Sequence, residues 1–324
     1  NPSYHWVPYI PKLGGLNDRL YAMGIRRALK SLPEGWQPDA LLVPWLFPDA
    51  CAVHQLPELA HLPLLAVAQG SDVHQYLDMP FRKKAILDLC QRAHVITRSE
   101  DLRQHLLRAG APAAHVSTVY NGVDIQTFRP ESKAAWRQEL GLPQPPKILV
   151  FVGNFLPVKG IDLLIDAASQ VNREQPLHLV LIGSGPLEQD VRSRCQNGGL
   201  AASQVTFPGR LGPEKVARYM QAADAVCLSS LNEGVPNVLL EAFASGRPLV
   251  STDVGGISEV TGPSPGGGFL SRGRNVEAYA SALRAAFVTP PNENDLSQYA
   301  RAFSWPRCAD SYFQRLFALT EERQ

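Results

Sequence analysis

Two carboxylates, Glu233 and Glu241, bracket the run Gly234-Val235-Pro236-Asn237-Val238-Leu239-Leu240, and that run suggests what the pair could hold. Pro236 suits the first turn of a helix, where its missing N–H costs nothing, and Gly246 followed by Pro248 suits a helix stop. The punctuation therefore predicts a helix from about Pro236 to Ser245. Amides near Asn237 and Val238 at its start have no intrahelical acceptor, so they would receive an anion such as a diphosphate. Glu233 precedes the helix on a loop that Gly234 lets approach closely, while Glu241 lies inside it, roughly 6 to 8 Å along the axis. A carboxylate accepts two hydroxyl hydrogen bonds side by side, the geometry of a ribose diol or of adjacent sugar hydroxyls. Each glutamate also has a purely structural reading, Glu233 favouring the helix dipole and Glu241 being a solvated helix residue.

These residues must be held by a fold whose strands and helices alternate. Short apolar runs separated by helical patterns predict parallel sheets built from strand-helix-strand units, an α/β chain. Strands are expected at 40–43, 64–67, 94–97 and 116–119 in the first half. In the second half they are expected at 148–152, 177–182, 205–207, 225–228 and 249–252, with a short one at Phe269-Leu270 after the glycine- and proline-rich surface loop 262–268. Because the predicted helix follows the strand ending at Leu228, its start opens at the carboxyl edge of the sheet, where ligands bind in open parallel sheets. The chain has 324 residues, beyond the usual ceiling for one hydrophobic core, so two domains and a cleft between them are expected. The stretch Gly141-Leu142-Pro143-Gln144-Pro145-Pro146 resists both helix and central strand and is taken as the hinge. The resulting division is 1–142, 143–304 and a tail helix at 305–324 with Tyr312, Phe313, Leu316, Phe317 and Leu319 at helical spacing.

Composition narrows the function classes. Hydrophobic residues make up 45% and charged residues 19%, which excludes a disordered chain. A net charge of +1 and the lack of a long basic run argue against nucleic acid. Arg82-Lys83-Lys84 is the densest basic cluster and reads as a solvated helix start, with peripheral membrane contact left open. Five widely spaced cysteines without a C-x-x-C pair argue against a disulfide framework or zinc site and for a reducing compartment. His54, His61 and His74 lack metal-ligand spacing, so no metal site is expected. A soluble chain is expected, since no apolar run approaches the roughly 20 residues that span a bilayer. Gly183-Ser184-Gly185 lacks the third glycine of a dinucleotide fingerprint, having Glu188 there, which argues against a Rossmann dehydrogenase.

The spacing of Glu233 and Glu241 around Gly-Val-Pro-Asn resembles the signature of retaining glycosyltransferase family 4. Further matches follow in order: Val152-Gly153-Asn154-Phe155-Leu156-Pro157-Val158-Lys159-Gly160, Ile182-Gly183-Ser184-Gly185-Pro186-Leu187, Val205-Thr206-Phe207-Pro208-Gly209-Arg210-Leu211, Ala222-Ala223-Asp224 and Thr252-Asp253-Val254-Gly255-Gly256. Asn121-Gly122-Val123-Asp124, with Phe128 and Pro130, resembles the segment that ends the family's acceptor lobe. The resemblance implies a GT-B fold, two Rossmann-like lobes facing across a cleft, with the last helix crossing back to the first lobe. It implies a metal-independent hexosyltransferase moving a sugar from a UDP- or GDP-hexose to a glycan or lipid-linked acceptor. Cell-surface polysaccharide synthesis in the cytoplasm, or at the inner membrane face, follows from the same resemblance.

Residue by residue, the resemblance gives Glu241 the ribose hydroxyls, Glu233 the transferred sugar, and the Gly234, Val235, Pro236, Asn237 and Val238 segment the sugar and diphosphate. Lys159, beside Gly153 and Asn154, would neutralise the diphosphate. Arg210 and Leu211 would lie by the base, which Gly183 and Gly185 let the chain approach, although Arg210 also reads as a surface charge. Gln69, Asp72 and Asn121 fall on the acceptor side. No cofactor is implied, the nucleotide-sugar being a co-substrate.

Three departures stand out. The family often has arginine where this chain has Asn154, so one cation is lost or relocated. Gln69 stands where histidine is expected, and glutamine can bond a sugar hydroxyl but cannot carry a proton as imidazole does. The opening Asn1-Pro2-Ser3-Tyr4-His5-Trp6-Val7-Pro8-Tyr9-Ile10-Pro11 and Gly14-Gly15 replace the family's first strand and glycine-rich loop, which predicts about 60 residues missing upstream. A nucleotide-sugar-binding protein without activity, and a GT-B epimerase or phosphorylase, are the competing readings.

Overall fold

The structure, a computed structural model, describes Val7 and residues 11–321. Apart from Val7 and Pro11, the proline-spaced opening lies outside the described residues, as do the last three residues of the tail. All ten strands expected from the sequence form, most within a residue of their expected ends. They make two wholly parallel sheets in two compact units, one comprising Asn1–Tyr120 with Cys308–Gln324 and the other Asn121–Arg307.

The first unit holds β1 (Leu41–Val43), β2 (Leu64–Ala68), β3 (His94–Thr97) and β4 (Val116–Thr118), paired in that order. Every residue of β2 and β3 is buried, as a parallel sheet covered on both faces requires. One face packs Ala66 and Val95 with Phe47, Ile86, Leu89 and Leu106. The other packs Leu65, Val67 and Ile96 under Tyr312, Leu316 and Leu319 of the tail helix Trp305–Glu321. Phe313 and Phe317, which the helical spacing assigned to the same face, point outward at 69% and 55% exposure and stack on each other. At 100° per residue they fall beside the buried stripe instead of within it.

The second unit holds β5 (Lys147–Val152), β6 (Leu177–Ile182), β7 (Val205–Gly209), β8 (Ala225–Leu228), β9 (Leu249–Thr252) and β10 (Gly268–Ser271). Their order is β10-β9-β8-β5-β6-β7. The chain therefore builds outward from β5 in one direction, then restarts at β8 on the other side. β5 and β8 form the switch point, where a crevice opens beyond the strand ends. The core is apolar from both sides, with Phe151, Phe155, Leu164 and Leu179 fully buried. Tyr279 is buried among them and its hydroxyl donates toward the carbonyls of Leu228 (2.9 Å) and Val250 (3.0 Å), tying β8 to β9.

The division between units falls at Tyr120–Asn121, ahead of the proline-rich stretch that the sequence suggested as hinge. The physical reason is polar anchoring of residues 121–142 to the second unit. The Val123 amide donates to the Phe303 carbonyl at 2.7 Å. From the helix Lys133–Glu139, Arg137 donates to the Ala222 carbonyl at 2.9 Å and to Asp224 at 2.6 Å, and Lys133 lies 3.3 Å from the same carboxylate. Burial opposes ionisation of Asp224, but the Ile148 amide and the cations of Lys133, Arg137 and Lys147 hold its carboxyl below the ordinary range.

Candidate active site

Four loops leave the carboxyl ends of β5, β6, β8 and β9, and each is stitched to a neighbour. After β5, the Gly153 amide donates to Ile182 and the Phe155 amide to Ser184, both at 3.0 Å. Gly183, at φ 143°, and Gly185 make that contact possible. A Cβ on Gly183 would sit 1.9 Å from the Gly153 carbonyl oxygen, and one on Gly185 would sit 2.5 Å from that of Phe155. At both glycines the backbone of one loop is pressed on the backbone of the other.

Lys159 ends the short turn Pro157–Lys159. The turn is pinned to the loop after β8, since Leu231 donates to Val158 at 2.8 Å and the Ser229 hydroxyl donates to the Lys159 carbonyl at 3.0 Å. Gly160 follows at φ 53°, with no room for a side chain because a Cβ would lie 2.3 Å from the Ser229 carbonyl oxygen. So held, the Lys159 ammonium donates to Glu233 Oε1 at 2.5 Å, and the Ser230 hydroxyl donates to the same oxygen at 2.7 Å. Glu233 is braced from the β9 side, where the Gly256 amide donates to the Gly234 carbonyl at 3.1 Å and Thr252 Oγ1 donates to Ser230 at 2.7 Å. The close approach there is made by Gly255 at φ 55°, whose added Cβ would meet the Glu233 carbonyl oxygen at 1.7 Å.

The helix after this loop spans Asn237–Ala244, with Pro236 as an extended cap residue that offers no side-chain acceptor to the first amides. Gly246, at φ 72°, ends it, with the Arg247 amide returning to the Ala242 carbonyl at 2.8 Å. Val235 is buried ahead of it, and Leu239 and Leu240 bury its inner face. Asn237 Oδ1 accepts from Asn121 Nδ2 at 2.7 Å, so Asn121 belongs to the second unit, beside the helix start, and not to the lobe where its motif placed it. Glu241 is largely buried and its carboxylate makes no hydrogen bond or ion pair with the described residues; burial pushes its carboxyl up to about 7.

Arg210, exposed after β7, donates to Asn154 Oδ1 at 3.2 Å. A guanidinium thus stands at the position where the sequence showed a cation missing. Leu211 is half-buried beside it. Gln69 and Asp72 lie in the first unit. The Asp72 carboxylate is buried and accepts the amides of Leu46, Gln69 and Gly70 at 2.8 to 3.2 Å, so it shapes the turn after β2. The Gln69 side chain donates to the Pro44 carbonyl at 2.8 Å. Sequence reasoning missed Ser229 and Ser230; their signal was a pair of hydroxyls directly after a strand end.

Comparison with known proteins identifies the family and the fold. Residues 132–303 match the family Glycosyl transferases group 1. The chain belongs to that family. Residues 2–127 match Glycosyltransferase Family 4 as well. The D-inositol 3-phosphate glycosyltransferase of Nocardia farcinica is 31% identical over 84% of this chain and 63% of its own length. That of Geodermatophilus obscurus is 32% identical over 70% of this chain and 53% of its own. The chain thus spans less than two thirds of these relatives. Among solved structures, sucrose-phosphate synthase from Thermosynechococcus elongatus superposes with a TM-score of 0.78 at 23% identity, covering 96% of this chain and 81% of that one. Anabaena HepE in complex with UDP gives 0.76 at 21% identity, covering 95% and 84%. The fold is GT-B.

Proposed function

We propose that this protein is a retaining hexosyltransferase, moving a sugar from a UDP- or GDP-hexose to a glycan or lipid-linked acceptor in cell-surface polysaccharide synthesis. The observation that carries the proposal is the Lys159–Glu233 pair at the switch point, with Glu233 just ahead of an uncapped helix that starts at Asn237. An ammonium has three N–H donors; one meets Glu233, leaving two for a diphosphate. With the Asn237 and Val238 amides it would stabilise the charge that grows on the leaving diphosphate. Arg210, seated on Asn154, supplies the second cation that family members carry on the β5 loop. Glu233 holds hydroxyls of the transferred sugar, and Glu241, desolvated and without a protein partner among the described residues, accepts the ribose diol.

In the transfer itself, the acceptor oxygen bonds to the anomeric carbon on the face from which the diphosphate departs. The C–O bond to the diphosphate breaks, and a leaving-phosphate oxygen takes the acceptor proton. No metal at the donor site is part of this reading. Its location is cytoplasmic, at the inner membrane face where the acceptor is lipid-linked.

Structures of Anabaena HepE hold UDP and UDP-glucose, so UDP-glucose is the first donor to assay, with inositol phosphate among the first acceptors because of the relatives' names. Glu233→Gln is expected to keep the melting temperature and nucleotide binding while lowering transfer by about 10²–10³-fold. Wild-type transfer by that variant would sink the assignment. A wild-type protein that binds UDP yet neither hydrolyses nor transfers any donor would favour the binding-only reading.

A further inference from the structure

Three metal-ligating side chains meet in the first unit, outside the site above. His74 ends the short helix Ser71–His74, and Asp101 and His105 lie one turn apart on the helix Glu100–Ala109. His74 Nε2 stands 3.5 Å from Asp101 Oδ2, and His105 Nδ1 stands 3.5 Å from Asp101 Oδ1. One nitrogen of each histidine and an Asp101 oxygen lie within 4.8 Å of one another. The imidazoles face edge to face with centroids 4.9 Å apart. His74 Nε2 is buried and makes no hydrogen bond with the described residues. A buried imidazole nitrogen aimed at a carboxylate, yet too far to bond it, suits a small cation between them.

We infer that His74, Asp101 and His105 bind a divalent transition-metal ion of the zinc class. Zinc takes imidazole and carboxylate ligands at about 2.0–2.2 Å, so tetrahedral neighbours lie roughly 3.3–3.5 Å apart; each imidazole already stands at that distance from one Asp101 oxygen, His74 from Oδ2 and His105 from Oδ1, so a carboxylate bound through one oxygen has one of the three separations in place. The ligand atoms must close further, for which the partly exposed His105 ring has to turn its Nδ1 away from the Asp101 carbonyl that it meets at 2.8 Å. The exposed Arg108, whose Nη2 lies 3.2 Å from His105 Nδ1, swings into solvent. Three protein ligands leave a fourth position for water. The ion would clasp the Ser71–His74 helix, and with it the turn that Asp72 shapes, onto the Glu100–Ala109 helix. It takes no part in donor activation, and it stands or falls independently of the transfer reading.

The test is titration of the chelator-treated protein with Co²⁺, read by visible d–d absorption, with Zn²⁺ as competitor. One equivalent of Co²⁺, displaced by Zn²⁺, is expected for the wild type. His105→Ala, at a partly exposed position, and Asp101→Asn are expected to keep the native far-UV spectrum while weakening Co²⁺ at least about 10–100-fold, the loss that even outer-shell changes produce. Arg108→Ala is expected not to weaken it, and His54→Ala to leave it unchanged. No d–d absorption in the wild type, equal Co²⁺ binding by His105→Ala, or an equal loss in His54→Ala would overturn the site.

Discussion

Under the proposed function, in which Glu241 accepts the ribose diol, this glutamate would couple nucleotide binding to pH. Its carboxyl titrates near 7 in the fold because burial disfavours its charge. A folded value above the unfolded one means that the fold gains stability from the bound proton. That contribution is complete below about 4.5 and is lost as pH rises through about 7. Ligand binding runs the other way, since a ribose diol donates to the ionised form. UDP affinity is therefore expected to rise between about pH 6 and 8, with proton uptake by buffer at pH 6.5, and Glu241→Gln to flatten the profile. Calorimetry in buffers of different ionisation enthalpy measures both, and an unchanged profile in the variant would refute the ribose assignment. Lys159→Ala is expected to lower turnover by about 10²–10³-fold, checked by steady-state kinetics. Residues within one helix or its approach, such as Glu233, Pro236 and Glu241, were legible because punctuation and spacing act locally. The bond from Lys159 to Glu233 was not, because it depends on strand order, and neither was the hydrogen bond from Arg210 to Asn154. His74 meeting His105 was equally hidden, since only the Asp101-to-His105 step is a helical interval.

At the scale of elements, strands were the most legible feature, because buried parallel strands read as bare apolar runs. The boundary between units was the least legible. Prolines at 143–146 mark where regular structure stops, but polar anchors such as Arg137–Asp224 decide which sheet a segment joins. Arg137→Ala leaves the Asp224 carboxylate short of its best partner in a largely buried place, so a loss of about 3 kcal/mol is expected by urea denaturation. Less than about 1 kcal/mol would mean that Lys133 and Lys147 suffice. Gly183→Ala is expected to cost roughly 2–4 kcal/mol, combining a left-handed backbone with a steric clash against Gly153. A stable variant with wild-type turnover would show that the β5 and β6 loops can part.

For the whole molecule, every residue proposed to touch the donor lies between Asn121 and Arg307. A fragment of residues 121–307 is expected to bind UDP within a few-fold of the full chain and to transfer nothing; failure of a folded fragment to bind would show that the donor site draws on the first unit. The two units also carry separate clocks. All five cysteines are buried thiols, Cys51, Cys90 and Cys308 in one unit, Cys195 and Cys227 in the other. Burial pushes Cys90 up to about 12 and Cys195 up to about 11, and raises Cys51 and Cys227 as well. A protonated, enclosed sulfur ignores an alkylating reagent until its surroundings open. The order in which these sulfurs acquire label during slow denaturation would therefore time the opening of each unit, without an engineered probe.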